Sequence, residues 1–232
     1  MDKLIQLSPS KLSIFKKCVR CFWLQEKYKV VQPRGIFPSL PGGIDRKLKT
    51  YFDGYRGSLP PQLEGKVPGA LFHNQDVLNK WRNWKSGLVY ENKEIGVKLI
   101  GALDDCLVNH DLYSPLDYKT KGSEPKDDGS QYYQTQLDCY CLMLNSNGYK
   151  ISEKAYLVYV YPGEVFLNHP PDFIIPFETK IYEINCSGER ALRILTQAVK
   201  ILSGPIPEAD ESCEQCRFVT EYNNVAERIR QE

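Results

Sequence analysis

Two C-x-x-C pairs lie near opposite ends of this 232-residue chain: Cys18 with Cys21 in "KKCVRCFW", and Cys213 with Cys216 in "ESCEQCRF". One such pair directs two sulfurs at a metal, and two pairs complete a tetrahedral four-thiolate shell. Unrelated reduced pairs, or a redox motif, are the alternatives. A shared metal centre would join the two end regions, residues 1–30 and 205–232, and would therefore constrain the fold of the whole chain.

The other four of the eight cysteines lie in apolar or strand-like segments: Cys106, Cys139, Cys141 and Cys186. A free cysteine in such a setting behaves as a small hydrophobic residue. Disulfides are rare in reducing compartments. We therefore interpret these four as reduced residues of the core.

Composition indicates one soluble globular domain, since 42% of the residues are hydrophobic and 25% are charged. No segment approaches the ~18 apolar residues of a membrane span. The start "MDKLIQLSPSKLS" lacks the apolar stretch of a secretory signal, so we expect a cytoplasmic protein. The net charge is only +1, and a nucleic-acid partner would therefore have to bind a local basic face.

The order of hydrophobic patterns is helix, three strands, helix, two strands, helix, which predicts an α/β fold with a mixed central sheet flanked by helices. A first helix is predicted across "SPSKLSIFKKCVRCFWLQEKYK", with Ser8 as its N-cap. Strands are predicted in "LVYENKEIGVKL", "IGALDDCLVNH", "LYSPLDYKT", "KAYLVYVYP" and "FETKIYEINC". Between and after them, helices are predicted in "SQYYQTQLDCYCLMLNSNG" and, capped by Ser187, in "SGERALRILTQAVKILSG". The strands and the first of these helices form a predicted catalytic core over residues 88–185.

Charged residues are predicted on the second and third strands of this pattern. Asp104 is predicted on the second strand, and Asp117 and Lys119 share one face at the end of the third, with Tyr118 on the other face. Two close carboxylates oppose folding unless a cation lies between them, and Mg²⁺ prefers such oxygen ligands. A metal-bound water is then a nucleophile, and a lysine can orient it or stabilise charge on a phosphate. A structural salt bridge of Lys119 with an aspartate is the alternative.

Three motifs together resemble the PD-(D/E)XK nuclease superfamily: G-x-x-D from Gly101 to Asp104, D-x-K from Asp117 to Lys119, and Q-x-x-x-Y from Gln136 to Tyr140. Their order is most similar to the RecB-like exonuclease branch, which includes CRISPR-adaptation nucleases and iron-sulfur helicase-nucleases. The resemblance implies a restriction-endonuclease-like core. It also implies a DNA nuclease that cleaves phosphodiester bonds with a metal-activated water in repair, recombination or defence. A degenerate module that binds nucleic acid or scaffolds a complex is the alternative.

The resemblance also implies roles for individual residues. Five are catalytic: Asp104, Asp117, Lys119, Gln136 and Tyr140. Mg²⁺ or Mn²⁺ would be bound by Asp104 and Asp117, with the carbonyl of Tyr118 as a further ligand. The implied partners are single- or double-stranded DNA ends and other repair or defence proteins, with no membrane partner.

Two departures from the family pattern stand out. The branch carries a histidine ligand on an early helix, where "LPGGIDRKL" has Asp45. Asp45 is predicted to replace that ligand, or else to cap a helix or pair with Lys49 four residues on. The family's cluster pattern takes one cysteine from the N-terminal side and three from the C-terminal side, whereas this chain has two and two. The resemblance favours a 4Fe-4S cluster at the cysteines, and coordination chemistry equally permits Zn²⁺.

Overall fold

The computed structural model describes residues 4–33, 35, 39–126, 131–164 and 174–231. The helices are α1 (Pro9–Lys17), α2 (Val19–Tyr28), α3 (Ser39–Asp53), α4 (Gln75–Trp81), α5 (Gln134–Ser146), α6 (Gly188–Ser203) and α7 (Glu214–Gln231). The strands are β1 (Ile5–Leu7), β2 (Ala70–Leu71), β3 (Leu88–Asn92), β4 (Val97–Gly101), β5 (Asp105–Asn109), β6 (Leu112–Thr120), β7 (Lys154–Pro162) and β8 (Phe177–Asn185).

The strands form two mixed sheets, a larger one in the order β2-β5-β6-β7-β8 and a smaller one in the order β1-β4-β3. β6 and β7 pair in parallel, and α5 connects them along the chain. Helices flank the sheets, so the predicted mixed α/β class is confirmed, and the arrangement is consistent with a restriction-endonuclease-like fold.

β7 is an inner strand of the larger sheet, between β6 and β8, and contributes to the core on both faces. Leu157 and Tyr159 pack into the cluster that contains residues of α1, α2, α5 and α6. Tyr156 and Val158 pack into a second cluster with Phe52 of α3. Because side chains alternate along a strand, a central strand that is covered on both sides reads as the continuous apolar run "AYLVYVY".

The predicted first helix is in fact two helices, and that part of the prediction was wrong. Cys18 has extended backbone angles, φ −160° and ψ 114°, and separates α1 from α2. Its sulfur accepts a hydrogen bond from the backbone N–H of Cys21 at 3.4 Å, which makes Cys18 the N-cap of α2. The chain therefore turns at the first C-x-x-C, and Cys21 lies in the first turn of a new helix.

The strand boundaries around Asp104 also differ from the prediction. "LVYENKEIGVKL" forms the hairpin β3–β4, whose turn contains Gly96 at φ +70°. β4 ends at Gly101, where a Cβ atom would collide with the side chain of Met143. Asp104 lies in the short segment between β4 and β5 rather than on a strand. That segment runs from one sheet to the other, which is why strand pairing stops there.

Two of the cysteines that we interpreted as reduced are paired. Cys141 on α5 and Cys186, just after β8, form a disulfide, with their Cα atoms 6.7 Å apart. Cys106 and Cys139 are free and buried, as expected. The prolines and the glycine between Val31 and Pro41 indicate a loop, but this segment lies partly outside the described residues, and α3 already begins at Ser39. Across the ranges described above, no helix has the length and apolar character needed to cross a membrane.

Candidate functional site

Asp117 is the most deeply buried charged group of the site, with 1% of its side chain exposed. Its Oδ1 accepts a hydrogen bond from Gln136 Nε2 at 3.1 Å. The ammonium group of Lys119 lies against its Oδ2 and forms an ion pair with it. Burial raises the pKa of Asp117 to about 7, against the opposing charge of Lys119 and with a further upward contribution from Asp104. The site therefore needs more positive charge than Lys119 supplies if Asp117 is to remain ionised.

Helix α5 places two further side chains over this carboxylate. Gln136 and Tyr140 lie four residues apart on one helical face, and Gln136 Nε2 donates to the Tyr140 hydroxyl at 2.6 Å. The hydroxyl donates in turn to the backbone oxygen of Ala102 at 2.7 Å. Gln136 Oε1 accepts from Lys119 Nζ at 3.4 Å. The amide of Gln136 thus contacts both Asp117 and Lys119, and Tyr140 ties it to the segment that leads to Asp104.

Lys119 is held from a third side by an aromatic ring. Its Nζ lies 4.4 Å from the centroid of Tyr133, which is within the range of a cation–π interaction. Its side chain is 18% exposed. The ammonium group is therefore oriented by Asp117, Gln136 and Tyr133, and it keeps some contact with solvent.

Asp104 approaches Asp117 from the segment before β5. Its Oδ2 accepts a hydrogen bond from the backbone N–H of Tyr118 at 3.2 Å, so Asp104 is anchored to the peptide that follows Asp117. Its Oδ1 pairs with Lys49 Nζ at 2.8 Å. Lys49 also pairs with Asp45 Oδ2 at 2.9 Å. Burial lowers the pKa of Lys49, but attraction to Asp104 and Asp45 outweighs it and the net shift is upward.

Lys49 was not predicted as a site residue, and it connects Asp45 to Asp104. The predicted pairing of Asp45 with Lys49 is present, and Asp45 also lies at the edge of the site. Among the described residues, Asp45, Asp104 and Asp117 do not form a compact group with their oxygens within 4.8 Å of one another. A divalent cation fits the pair Asp104 and Asp117, because carboxylate oxygens are the ligands that such a cation prefers and Lys119 alone does not keep the pKa of the buried Asp117 at its ordinary value.

Tyr118 points its side chain to the other face of the sheet, as the alternation predicts. Its ring stacks on Phe52 at 4.6 Å between centroids, and its hydroxyl donates to Asp105 Oδ2 at 2.7 Å. Only its backbone belongs to the site, through the N–H that Asp104 accepts.

Asp105 is the centre of a second network that the sequence analysis missed. It is completely buried, and Arg56 donates to both of its oxygens at 2.7 and 2.6 Å. Arg82 lies 3.5 Å from the same carboxylate and donates through Nε to the backbone oxygen of Asp104 at 2.7 Å. Through Arg82, this network thus fixes the backbone of Asp104. The doubled aspartate in "ALDDCL" was the available signal, but it does not tell which carboxylate faces the site.

The four cysteines of the two C-x-x-C pairs come together as the sequence predicts. Their sulfurs all lie within 4.8 Å of one another, and this is the compact group of possible metal ligands found in the described part of the chain. Cys18 and Cys213 each directly precede a helix, while Cys21 and Cys216 lie in the first turns of α2 and α7. Burial raises the pKa of Cys18 and of Cys21. At Cys213 burial acts in the same direction, but hydrogen bonds with the backbone of Cys216 and with the sulfurs of Cys18 and Cys21 outweigh it and lower the pKa. Without a bound cation Cys18 and Cys21 are therefore thiols, and metal binding must displace their protons.

Sequence comparison agrees with this geometry. The family model described as the PD-(D/E)XK nuclease superfamily matches residues 44–220, about three quarters of the chain. The chain belongs to the PD-(D/E)XK nuclease superfamily. No curated protein matches it significantly.

The matched range covers the carboxylate site completely and the four-cysteine centre only in part. It contains every residue of the carboxylate site, from Asp45 to Tyr140, and it also contains Cys213 and Cys216. Cys18 and Cys21 lie before it. The carboxylate site thus lies wholly within the superfamily's common region, whereas the cysteine centre uses one pair from outside that region. Membership in a nuclease superfamily indicates metal-dependent nuclease activity and nucleic acid as the binding partner.

Proposed function

We propose that this chain is a deoxyribonuclease that requires Mg²⁺ or Mn²⁺ and hydrolyses phosphodiester bonds with a metal-activated water. The observation that carries the proposal is the surroundings of Asp117. A buried carboxylate with its pKa raised to about 7 lies beside a second carboxylate, a lysine and a glutamine, in a chain of a nuclease superfamily. Buried like charges persist where a function requires them.

In this proposal Asp104 and Asp117 bind the divalent cation, with the carbonyl of Tyr118 as a further ligand. A divalent cation held there would lower the pKa of a coordinated water and so favour its deprotonation for attack on the phosphorus atom. The hydrogen bond from the N–H of Tyr118 to Asp104 holds that carboxylate in place. The pairing of β6 with β7 fixes the position of Asp117, which lies opposite Leu157.

Lys119 acts on the substrate side. Its ammonium group lies against Asp117, and with a cation bound to that carboxylate it can turn towards the phosphate or the attacking water. The ring of Tyr133 and the amide of Gln136 limit where it can go. We assign to Gln136 and Tyr140 the positioning of Asp117 and Lys119, because their hydrogen bonds join those residues to the backbone of Ala102.

Asp45 takes the place of the histidine ligand in this proposal. It is 34% exposed on α3 and reaches the site through Lys49. For Asp45 to bind a cation, Lys49 must leave both Asp45 and Asp104. Electrostatic attraction favours that exchange, because a divalent cation brings two positive charges to the carboxylates where the ammonium of Lys49 brings one.

We further propose that the substrate is a single- or double-stranded DNA end, attacked in an exonuclease-like manner during cytoplasmic repair, recombination or defence alongside other proteins of those processes. Purified protein should be incubated with linear and covalently closed circular DNA, in EDTA, Mg²⁺ or Mn²⁺. We expect degradation of linear DNA only, and only with a divalent cation. Asp117→Asn should abolish it, and Asp111→Asn, which changes an exposed aspartate paired with Lys150, is the matched control.

A catalytically degenerate module that binds nucleic acid is the second candidate, and the position of Lys49 favours it. The ammonium of Lys49 already compensates Asp104 and Asp45 in the absence of metal. This candidate predicts that the protein binds DNA with the same affinity in EDTA and in Mg²⁺ and cleaves neither linear nor circular DNA. Cleavage that depends on Asp117 excludes it.

A further inference from the structure

The sulfurs of the four-cysteine centre lie closer together than an iron–sulfur cluster permits. Cys18 Sγ is 3.6 Å from Cys216 Sγ. Cys21 Sγ is 3.7 Å from Cys213 Sγ and 3.8 Å from Cys216 Sγ. The remaining sulfur pairs lie within 4.8 Å.

These distances match the edges of a small tetrahedron. Zinc binds thiolate sulfur at about 2.3 Å in a tetrahedral shell, so its sulfurs are about 3.8 Å apart. A 4Fe-4S cluster instead takes each cysteine on a different iron, with the four sulfurs pointing outwards from the cube and separated by roughly 6 Å. The four residues therefore do not fit the cluster that the family resemblance implies.

The local backbone supports a small, highly charged centre. Four thiolates around a divalent ion carry a net charge of −2, and this charge lies at the N-termini of two helices, α2 and α7, where the helix dipoles favour negative charge. The backbone N–H of Cys21 donates to Cys18 Sγ at 3.4 Å. Each C-x-x-C pair thus has the same arrangement, with one cysteine before a helix and the other in its first turn.

We propose that Cys18, Cys21, Cys213 and Cys216 bind one Zn²⁺ ion, which holds α7 against α2. Zinc has no redox chemistry, so the centre is structural. Binding releases the protons of the cysteine thiols to solvent, and no electron is transferred. The proposal does not depend on the nuclease function.

The structure also shows why a metal is needed at this position. Cys216 is the sole buried residue of α7 among those described. The segment before α7 is attached by two hydrogen bonds, from Trp23 Nε1 to the oxygen of Gly204 at 3.2 Å and from Arg20 to the oxygen of Pro207 at 3.0 Å. Beyond Pro207 little apolar surface secures the helix, and a metal ion bound by four thiolates stabilises such an attachment because its binding is coupled to folding.

The test is the metal content of the whole chain, produced with both iron and zinc in the medium and purified without oxygen. We expect colourless protein with one zinc per chain, and X-ray absorption that shows four sulfur neighbours at about 2.3 Å and no iron–iron scattering. Brown protein with four irons per chain and absorbance near about 400 nm would overturn the proposal, and so would protein that contains neither metal.

A double variant, Cys213→Ala with Cys216→Ala, locates the ion. It should contain no zinc, whereas Cys139→Ala, which changes a buried free cysteine elsewhere, should keep one zinc per chain. Zinc retained by the double variant would contradict the assignment. If the double variant does not fold, the metal content and absorption spectrum of the unaltered chain still decide between zinc and a cluster.

Discussion

Asp104 and Asp105 are neighbours in the chain, yet their carboxylates lie in separate networks. Asp104 pairs with Lys49 and accepts the N–H of Tyr118, while Asp105 is held by Arg56 and by the hydroxyl of Tyr118. One carboxylate is therefore available to a metal and a substrate, and the other is part of the core.

The first prediction contrasts these two aspartates. Asp105→Asn should lower the free energy of unfolding by about 3 to 5 kcal/mol, because it leaves Arg56 without its buried partner. Asp104→Asn should change the free energy of unfolding much less and abolish cleavage. Urea unfolding followed by circular dichroism, together with the linear-DNA assay, measures both. Equal destabilisation by the two variants would show that Asp104 is a structural residue too.

The second prediction concerns Asp117 in protein freed of metal with a chelator. Its pKa in the folded state is raised from 3.8 to about 7, so the ionised carboxylate opposes folding, and stability falls as the pH rises across that interval. Asp117→Asn should therefore be more stable than the unaltered chain at pH 8 and should lose most of that advantage at pH 4.

Thermal unfolding in EDTA at the two pH values checks this prediction. The difference in melting temperature between variant and parent is the quantity of interest. A variant that is less stable than its parent at pH 8 would mean that the pair with Lys119 fully compensates for the burial of the carboxylate.

Much of the fold could be predicted because it depends on local pattern. β7 has the same first and last residues as the predicted strand "KAYLVYVYP", and α6 begins after the predicted cap Ser187. The break at Cys18 could not be predicted, because it depends on a thiol that meets Cys216, 198 residues away along the chain. Helical periodicity alone continues through that position.

The candidate site divides in the same way. The residues of the three motifs lie together, since strand alternation and helical spacing place them on facing surfaces. The contacts of Lys49 with Asp104 and of Arg56 with Asp105 escaped prediction, because each depends on the packing of α3 and the turn after it onto the sheet, which no local pattern encodes. The disulfide of Cys141 with Cys186 also depends on tertiary packing, of α5 beside the end of β8.

The third prediction concerns Asp45. Asp45→Asn should raise the Mg²⁺ concentration needed for half-maximal cleavage about three- to tenfold, an effect of about 1 kcal/mol, if Asp45 supplies a ligand. Titration of Mg²⁺ in the linear-DNA assay gives that concentration.

Lys49→Met is a second variant for this experiment. It removes the charge that joins Asp45 to Asp104 and keeps most of the side-chain volume. We expect it to lower the Mg²⁺ requirement, since Lys49 competes with the cation for Asp104. An unchanged requirement in Asp45→Asn would assign Asp45 to the ion pair with Lys49 alone.

The fourth prediction concerns the removal of the metal from the four-cysteine centre. A strong chelator should increase amide hydrogen exchange along α7, since Cys216 is its buried contact among the described residues. Exchange in β6 and β7 should not change, because these strands lie inside the core. Mass spectrometry of peptides before and after chelation separates the two regions. Faster exchange in β7 would mean that the metal stabilises the entire fold.

The separation of the cysteine pairs along the chain has a consequence for biosynthesis. Cys21 leaves the ribosome 192 residues before Cys213, which at the usual rate of translation is roughly 10 to 40 seconds. During that interval the first pair of thiols has only half of its coordination shell. An ion at this centre can therefore reach its full coordination only after Cys213 and Cys216 have been synthesised, and until then the first pair of thiols is open to oxidation and to competing metals.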